Sequence, residues 1–258
     1  AYRPSARVSG AMHRVAALSA SGGSIFIKKM QAAGNAVDGG GAASQGERVF
    51  RRKTRRCLKG YLSDTVTLLG DLIAYPTVSE YSNVDMISYL AYRLEDAGAR
   101  VDMYYDEIGH KANLFATIGP EVDGGIVLSG HSDVVPVKEQ DWASDPFEMI
   151  EHEGRLYGRG TCDMKGFIAA ATAMAPRFAE TVRDRPIHFA FTYDEEVGCF
   201  GAQALVESLK EKGIRPGVAI IGEPTMMRII EGHKGCCEFS THFTGLAGHG
   251  SAPDRGVN

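Results

Sequence analysis

The chain has 258 residues, 44% of them hydrophobic and 23% charged, enough for one substantial domain and part of a second. No apolar run approaches the roughly 20 residues of a membrane-spanning helix, and the first residues lack the pattern of a secretory signal, so membrane and secreted classes are set aside and a cytoplasmic location is expected. The net charge of −4 is uneven: residues 1–60 hold 12 Lys and Arg against Asp38 and Glu47, which leaves 16 basic and 30 acidic residues for the remainder. That acidic body argues against a nucleic-acid-binding core and suits carboxylates that act on cations.

Residues 1–60 are rich in Gly, Ser, Ala and Arg, with Gly39–Gly41 in a row and a basic cluster at Arg51–Arg56, and their composition predicts a mostly disordered, solvated extension. Contact with nucleic acid and an organelle transit role are the alternatives that the cluster leaves open. Ser63 is the expected N-cap of a first helix, with Val66, Leu69, Leu72 and Ile73 at helical spacing up to Pro76. A second helix is expected over Asn83–Ala97, stopped by Gly98. Strands follow at Arg100–Tyr105, Asn113–Ile118, Ile126–Ser129, Ile187–Tyr193 and Val218–Ile221, the last three being apolar runs suited to a sheet covered on both faces. Helices over Gly166–Ala179 and Ala202–Lys212 alternate with them, so residues 61–232 are expected to form an α/β, three-layer domain with a largely parallel sheet. A β segment is expected at Glu238–Thr244, in a second domain begun at residue 233 and cut short at Asn258. Five cysteines, Cys57, Cys162, Cys199, Cys236 and Cys237, make no CxxC pair and read as free thiols.

The candidate chemistry lies where expected strands run into loops, the usual place for sites on open α/β sheets. His131 follows one strand in GHSDVVP, with Asp133 two residues on, within reach of the far imidazole nitrogen. Asp163 stands in GRGTCDMKG, where glycines allow a tight path around one carboxylate that can bridge two cations. Asp194, Glu195 and Glu196 close another strand. Three consecutive acids repel one another unless a cation compensates them, and neighbouring glutamates facing opposite sides can divide ligation from proton transfer. Glu223 leaves a fourth apolar strand in IIGEPT.

GHSDVVP, DPFE (Asp145–Glu148), GRLYGRGTCDMKGF, YDEEVGCFGA, IIGEPTMM and GLAGHGSAP together resemble the aminoacylase and acetylornithine deacetylase family of co-catalytic zinc peptidases, over about Tyr61 to Asn258. The strings Gly158–Phe167 and Tyr193–Gly201 are most similar to the acetylornithine deacetylase branch. The resemblance implies two zinc or cobalt ions: His131 and Glu223 on one, Asp163 bridging both, and Glu196 on the second. It makes Glu195 the general base, Asp133 the residue that orients His131, and the Asp163–Met164 peptide cis. It also implies a ferredoxin-like lid that forms a homodimer, with His249 of the lid stabilising the tetrahedral intermediate. The implied reaction is hydrolysis of an N-acyl amino acid, N-acetyl-L-ornithine first, with N-succinyl-diaminopimelate as the nearest alternative and the substrates of other aminoacylases or dipeptidases of the family behind it. A non-catalytic metal-binding protein is the alternative of another class, and neither nucleic acid nor membrane is an expected partner. The family's last zinc ligand is a downstream histidine that this sequence lacks. His13, His110, His152, His188, His233 and His242 are assigned to structure or surface, so the second zinc is expected to be short of a ligand and this chain by itself to be a poor or inactive enzyme.

Overall fold

The computed structural model describes residues 25–26, 60–232, 240–242, 244–246 and 248–257. The Gly39–Gly41 run, the Arg51–Arg56 cluster, Cys57, Cys236, Cys237, His13 and His233 lie outside the described residues. In chain order the elements are β1 (Ile25–Phe26), α1 (helical from residue 60 to 73), α2 (Val84–Asp96), β2 (Arg100–Tyr105), β3 (Ala112–Ile118) and β4 (Ile126–His131). There follow β5 (Ile150–His152), β6 (Arg155–Tyr157), α3 (Lys165–Ala173), α4 (Ala175–Thr181), β7 (Ile187–Thr192), α5 (Phe200–Glu211) and β8 (Val218–Ile221).

Helix α1 buries Leu69, Leu72 and Ile73 of the expected stripe together with Leu68, while Val66 is partly buried against the same core. Ser63 is a correction: it lies inside the helix, because the turn already runs through residue 60 and Thr65 Oγ1 donates back to the Tyr61 carbonyl at 2.7 Å. Helix α2 buries Met86, Ile87, Leu90, Ala91 and Leu94 and gives way to Gly98 at φ 89°. The helix expected over Gly166–Ala179 is two helices, α3 and α4. Pro176 has no N–H for the Thr172 carbonyl and its ring crowds that turn, so the first helix closes at Met174.

Five strands form one sheet in the order β2-β3-β7-β4-β8, with β7, β4 and β8 mutually parallel and β3 antiparallel to both of its neighbours. Four of the five strands therefore point the same way. Alternate side chains serve opposite faces. Leu114 and Ala116 of β3 and Phe189 and Phe191 of β7 join the larger core with α1 to α4, while Phe115, Ala190 and Val127 pack with Leu205 of α5. The result is the α/β three-layer arrangement. Strand β8 departs from expectation: among the described residues it is the edge strand, paired with β4 alone, and Val218 and Ile220 remain 58% and 46% exposed.

A hairpin absent from the expected elements joins β5 to β6, and β6 also pairs with β1. Its two-residue turn, Glu153 at φ 52° and Gly154 at φ 71°, has the doubly positive backbone that matches strand twist. Residues from Ile230 onward fall outside the compact unit that ends at Ile229. Of the β segment expected at Glu238–Thr244, residues 238, 239 and 243 lie outside the described residues, and 240–242 and 244 belong to no regular element. The described backbone there has no strand partner, and an unpaired strand leaves its polar groups unsatisfied. Farther on, Leu246 and Val257 form an isolated antiparallel bridge around the short 3-10 turn Pro253–Arg255.

Candidate metal centre

Parallel register explains why distant residues meet. Strand β4 lies between β7 and β8, with His131 level with Thr192 and Ser129 level with Ile221. The C-terminal ends of three adjacent strands thus deliver His131, the Asp194–Glu196 turn and Glu223 to one rim. Asp163 arrives from the loop before α3, where Gly160 (φ 87°) occupies a backbone region hostile to side chains and the Asp163–Met164 peptide is cis. Behind that loop Lys165 is fully buried, donating to the Leu72 and Tyr75 carbonyls at 3.0 and 2.7 Å, and burial pushes its pKa down to about 7. Gly222 gives Glu223 its approach, since a Cβ there would fall 1.9 Å from Cγ of the Phe167 ring.

Two groups of donors converge on His131. Ligand atoms of His131, Asp163 and Glu223 lie within 4.8 Å of one another, and so do those of His131, Glu195 and Glu196. His131 is 2% exposed. Its Nδ1 donates to the Asp133 carbonyl at 2.9 Å, and its Nε2 faces Asp163 Oδ1 at 3.0 Å and Glu223 Oε1 at 3.8 Å. A carbonyl can only accept, so a proton belongs on Nδ1, and it is Nε2, facing the acids, that gives up its proton when a cation takes its lone pair.

Asp133 departs in detail from its expected part. The near bond to His131 comes from its backbone carbonyl, with carboxylate Oδ1 3.6 Å away. The carboxylate instead accepts from Ser79 Oγ (2.7 Å) and from the backbone N–H groups of Glu195 (3.1 Å) and Glu196 (3.3 Å). Two residues of separation put the carbonyl closer to the ring, which frees the carboxylate to fix the acid turn.

Burial and mutual repulsion dominate the electrostatics of the clustered acids. Burial would lower the His131 pKa, but Asp133 and Asp163 outweigh it and hold it well above the ordinary value. Burial pushes Glu223 up to about 8 and Glu196 to about 7, with the charge of Asp163 adding to both against the pull of His131. Glu195 is raised for the same leading reason. Burial would also raise Asp133, but the nearby His131 and the bonds from Ser79 and the Glu195 amide lower it below its ordinary value. One imidazole nitrogen and clustered carboxylates whose charge is costly to bury are a hard donor set that a divalent cation fits.

The other singled-out residues fall elsewhere. His110, His152 and His242 are exposed, and His188 is buried at the start of β7, the opposite end from the rim, its Nδ1 2.8 Å from Thr117 Oγ1. Cys162 and Cys199 are free; burial and Glu195 push the Cys199 thiol up to about 11, which keeps it protonated. His249, in the segment after Ile229, is exposed, and its Nδ1 accepts from the Ser251 N–H at 3.3 Å, which leaves Nε2–H as the donor of the neutral ring. Sequence reasoning missed Ser79, Asn83 and Lys111, which brace the rim from behind. Asn83 exchanges bonds of 2.8 Å with the backbone of Ala112 and donates to Ser132 Oγ. A polar residue at a helix N-cap was the available signal, but this side chain makes no cap bond.

Residues 127–244 match the family described as peptidase family M20/M25/M40. An acetylornithine deacetylase of Shigella sonnei (strain Ss046) is 37% identical over 208 residues, 78% of this chain and 53% of that protein. One of Yersinia pseudotuberculosis serotype O:1b (strain IP 31758) is 38% identical over 212 residues, 78% of this chain and 54% of that protein. Among solved structures, human carnosine dipeptidase 1 superposes with a TM-score of 0.53 at 26% identity, covering 62% of this chain and 38% of its own. An M20 family metallo-carboxypeptidase of Sulfolobus solfataricus, at 20% identity, shares the fold with a TM-score of 0.54 over 62% of this chain and 37% of its own. The chain spans about half the length of the curated relatives it matches.

Proposed function

We propose that this chain, a relative of the acetylornithine deacetylases with a segment of peptidase family M20/M25/M40, bears most of the active site of a metal-dependent hydrolase of linear amides. The substrate we assign is N-acetyl-L-ornithine, split to L-ornithine and acetate in arginine biosynthesis. The observation that carries the reading is the convergence of His131, Asp163 and Glu223 within 4.8 Å, with Glu195 and Glu196 grouped on the same imidazole. His131 and Glu223 would hold one zinc or cobalt ion, Asp163 would bridge, and Glu196 would serve a second ion in the whole protein. Such an ion supplies a Lewis acid for the amide carbonyl and acidifies water.

The remaining chemistry falls to side chains. Glu195, whose carboxyl burial raises above its ordinary value, is the base: it takes a proton from the attacking water and returns it to the departing amine. The water oxygen bonds to the carbonyl carbon, the C–N bond breaks, and the proton ends on the amine nitrogen. Nε2–H of His249 is the donor we assign to the oxyanion. A cytoplasmic homodimer formed through the segment from residue 233 is the assembly we assign to the whole protein. Among the described residues no helix is long and apolar enough to cross a membrane.

Amine release from the zinc-loaded whole protein tests the substrate. N-acetyl-L-ornithine should be hydrolysed and N-succinyl-diaminopimelate left intact. The reverse order would move the assignment to a desuccinylase, and zinc binding by the whole protein without turnover of either would reduce it to a metal-binding protein.

A further inference from the structure

The acid turn has a cation of its own. Lys111, 6% exposed at the entrance to β3, donates from Nζ to Asp194 Oδ1 at 2.8 Å and to the Ser79 carbonyl at 2.6 Å. Its backbone is fixed first: the Lys111 N–H donates to Asp106 Oδ1 at 3.1 Å, its carbonyl accepts from the Asp106 N–H at 3.0 Å, and Ala112 beside it is held by Asn83. Asp194, the partner, occupies the left-handed region at φ 53°, which Asp tolerates better than most residues with a side chain. Ser79, the other partner, passes its hydroxyl proton toward Asp133 Oδ2, and that carboxylate accepts the N–H groups of Glu195 and Glu196.

We infer that Lys111 is a positioning residue for the Glu195–Glu196 pair, gripping the turn directly through Asp194 and indirectly through Ser79 and Asp133. One ammonium thus reaches the turn by two routes, through the Asp194 side chain and through Ser79 and the Asp133 acceptor of its two amides. A cation placed only to offset charge has a different signature. Deleting a positive charge beside an acid cluster should tighten binding of another cation, whereas deleting a brace should weaken it, because the ligating groups lose their preset geometry.

The inference rests on the proposed roles of Glu195 and Glu196 only for its consequence in turnover, so the test reads binding and backbone order. Lys111→Met in this chain should weaken the zinc binding that involves Glu195 and Glu196 roughly tenfold, at the lower end of what lost outer-shell partners cost, and leave the tight His131, Asp163 and Glu223 site in place. Hydrogen exchange at the Glu195 and Glu196 amides should quicken by about tenfold while β7 stays protected, as expected of a local opening. Zinc bound equally or more tightly by Glu195 and Glu196, or unaltered exchange at those two amides, would overturn the inference. Should Lys111→Met fail to fold, Asp194→Asn removes the ion pair and leaves the Ser79 bond. Faster exchange confined to the turn supports the inference, and unaltered exchange overturns it. Absent hydrolysis by the unaltered whole protein would count against the proposed function and leave these readouts standing.

Discussion

The two donor groups around His131 are assembled in different ways. Asp163, His131 and Glu223 come from three separate places: a loop ahead of α3, the last residue of β4 and the exit of β8. Glu195 and Glu196 are neighbours on one turn, placed by the Asp133 carboxylate and by Lys111 through Asp194. The first group is fixed by element ends with independent support, so no single outer contact decides it. The second depends on a few hydrogen bonds to one backbone segment, and a function that needs both groups is most vulnerable there.

The largest effect should come from Glu195→Gln. It removes the proposed base but no ligand, so turnover in the whole protein should drop by about 10²–10⁴-fold while zinc content holds. Loss of zinc with turnover would exchange the roles of Glu195 and Glu196. Next, Asp133→Ala removes the shared acceptor of both amides, and metal affinity or activity should fall by roughly 10–100-fold. Retained affinity with lost activity would sharpen the comparison, since it would show the carboxylate serving only the Glu195–Glu196 turn. Smallest is Gly222→Ala, whose Cβ meets the Phe167 ring beneath Glu223. Overpacking of this kind costs about 1–3 kcal/mol, read as a lower denaturant midpoint, and should weaken zinc binding with it.

Much of this site was legible because strand-end carboxylates and a strand-end histidine have positions that periodicity can assign. His131, Glu195, Glu196 and Glu223 are brought together by the register of β7, β4 and β8, and apolar runs reveal strands readily even when their pairing is unknown. Lys111 was not legible. Its contact with Asp194 spans 83 residues and that of Ser79 with Asp133 spans 54, and no local pattern encodes such a separation. The β5–β6 hairpin escaped because three-residue strands carry no measurable alternation, and Glu153–Gly154 is a weaker turn signal than Asn-Gly. Pro176 was a readable break in the helix over Gly166–Ala179, outweighed there by a continuous apolar pattern. Strand β8 shows the limit of reading burial from composition: an apolar run identifies a strand, while its coverage depends on neighbours that the run does not specify.

We propose that this chain offers one well-made metal site and one partial one. Both groups draw on the same imidazole, whose Nδ1 is committed to Asp133, so Nε2 can complete only one of them. Calorimetric titration of metal-free chain with zinc tests this most directly. The expected isotherm saturates at about one tight ion per chain, with any further binding weak, since carboxylates alone hold zinc poorly beside sets that include histidine. Two tight ions per chain would contradict the account and require a donor beyond those grouped around His131.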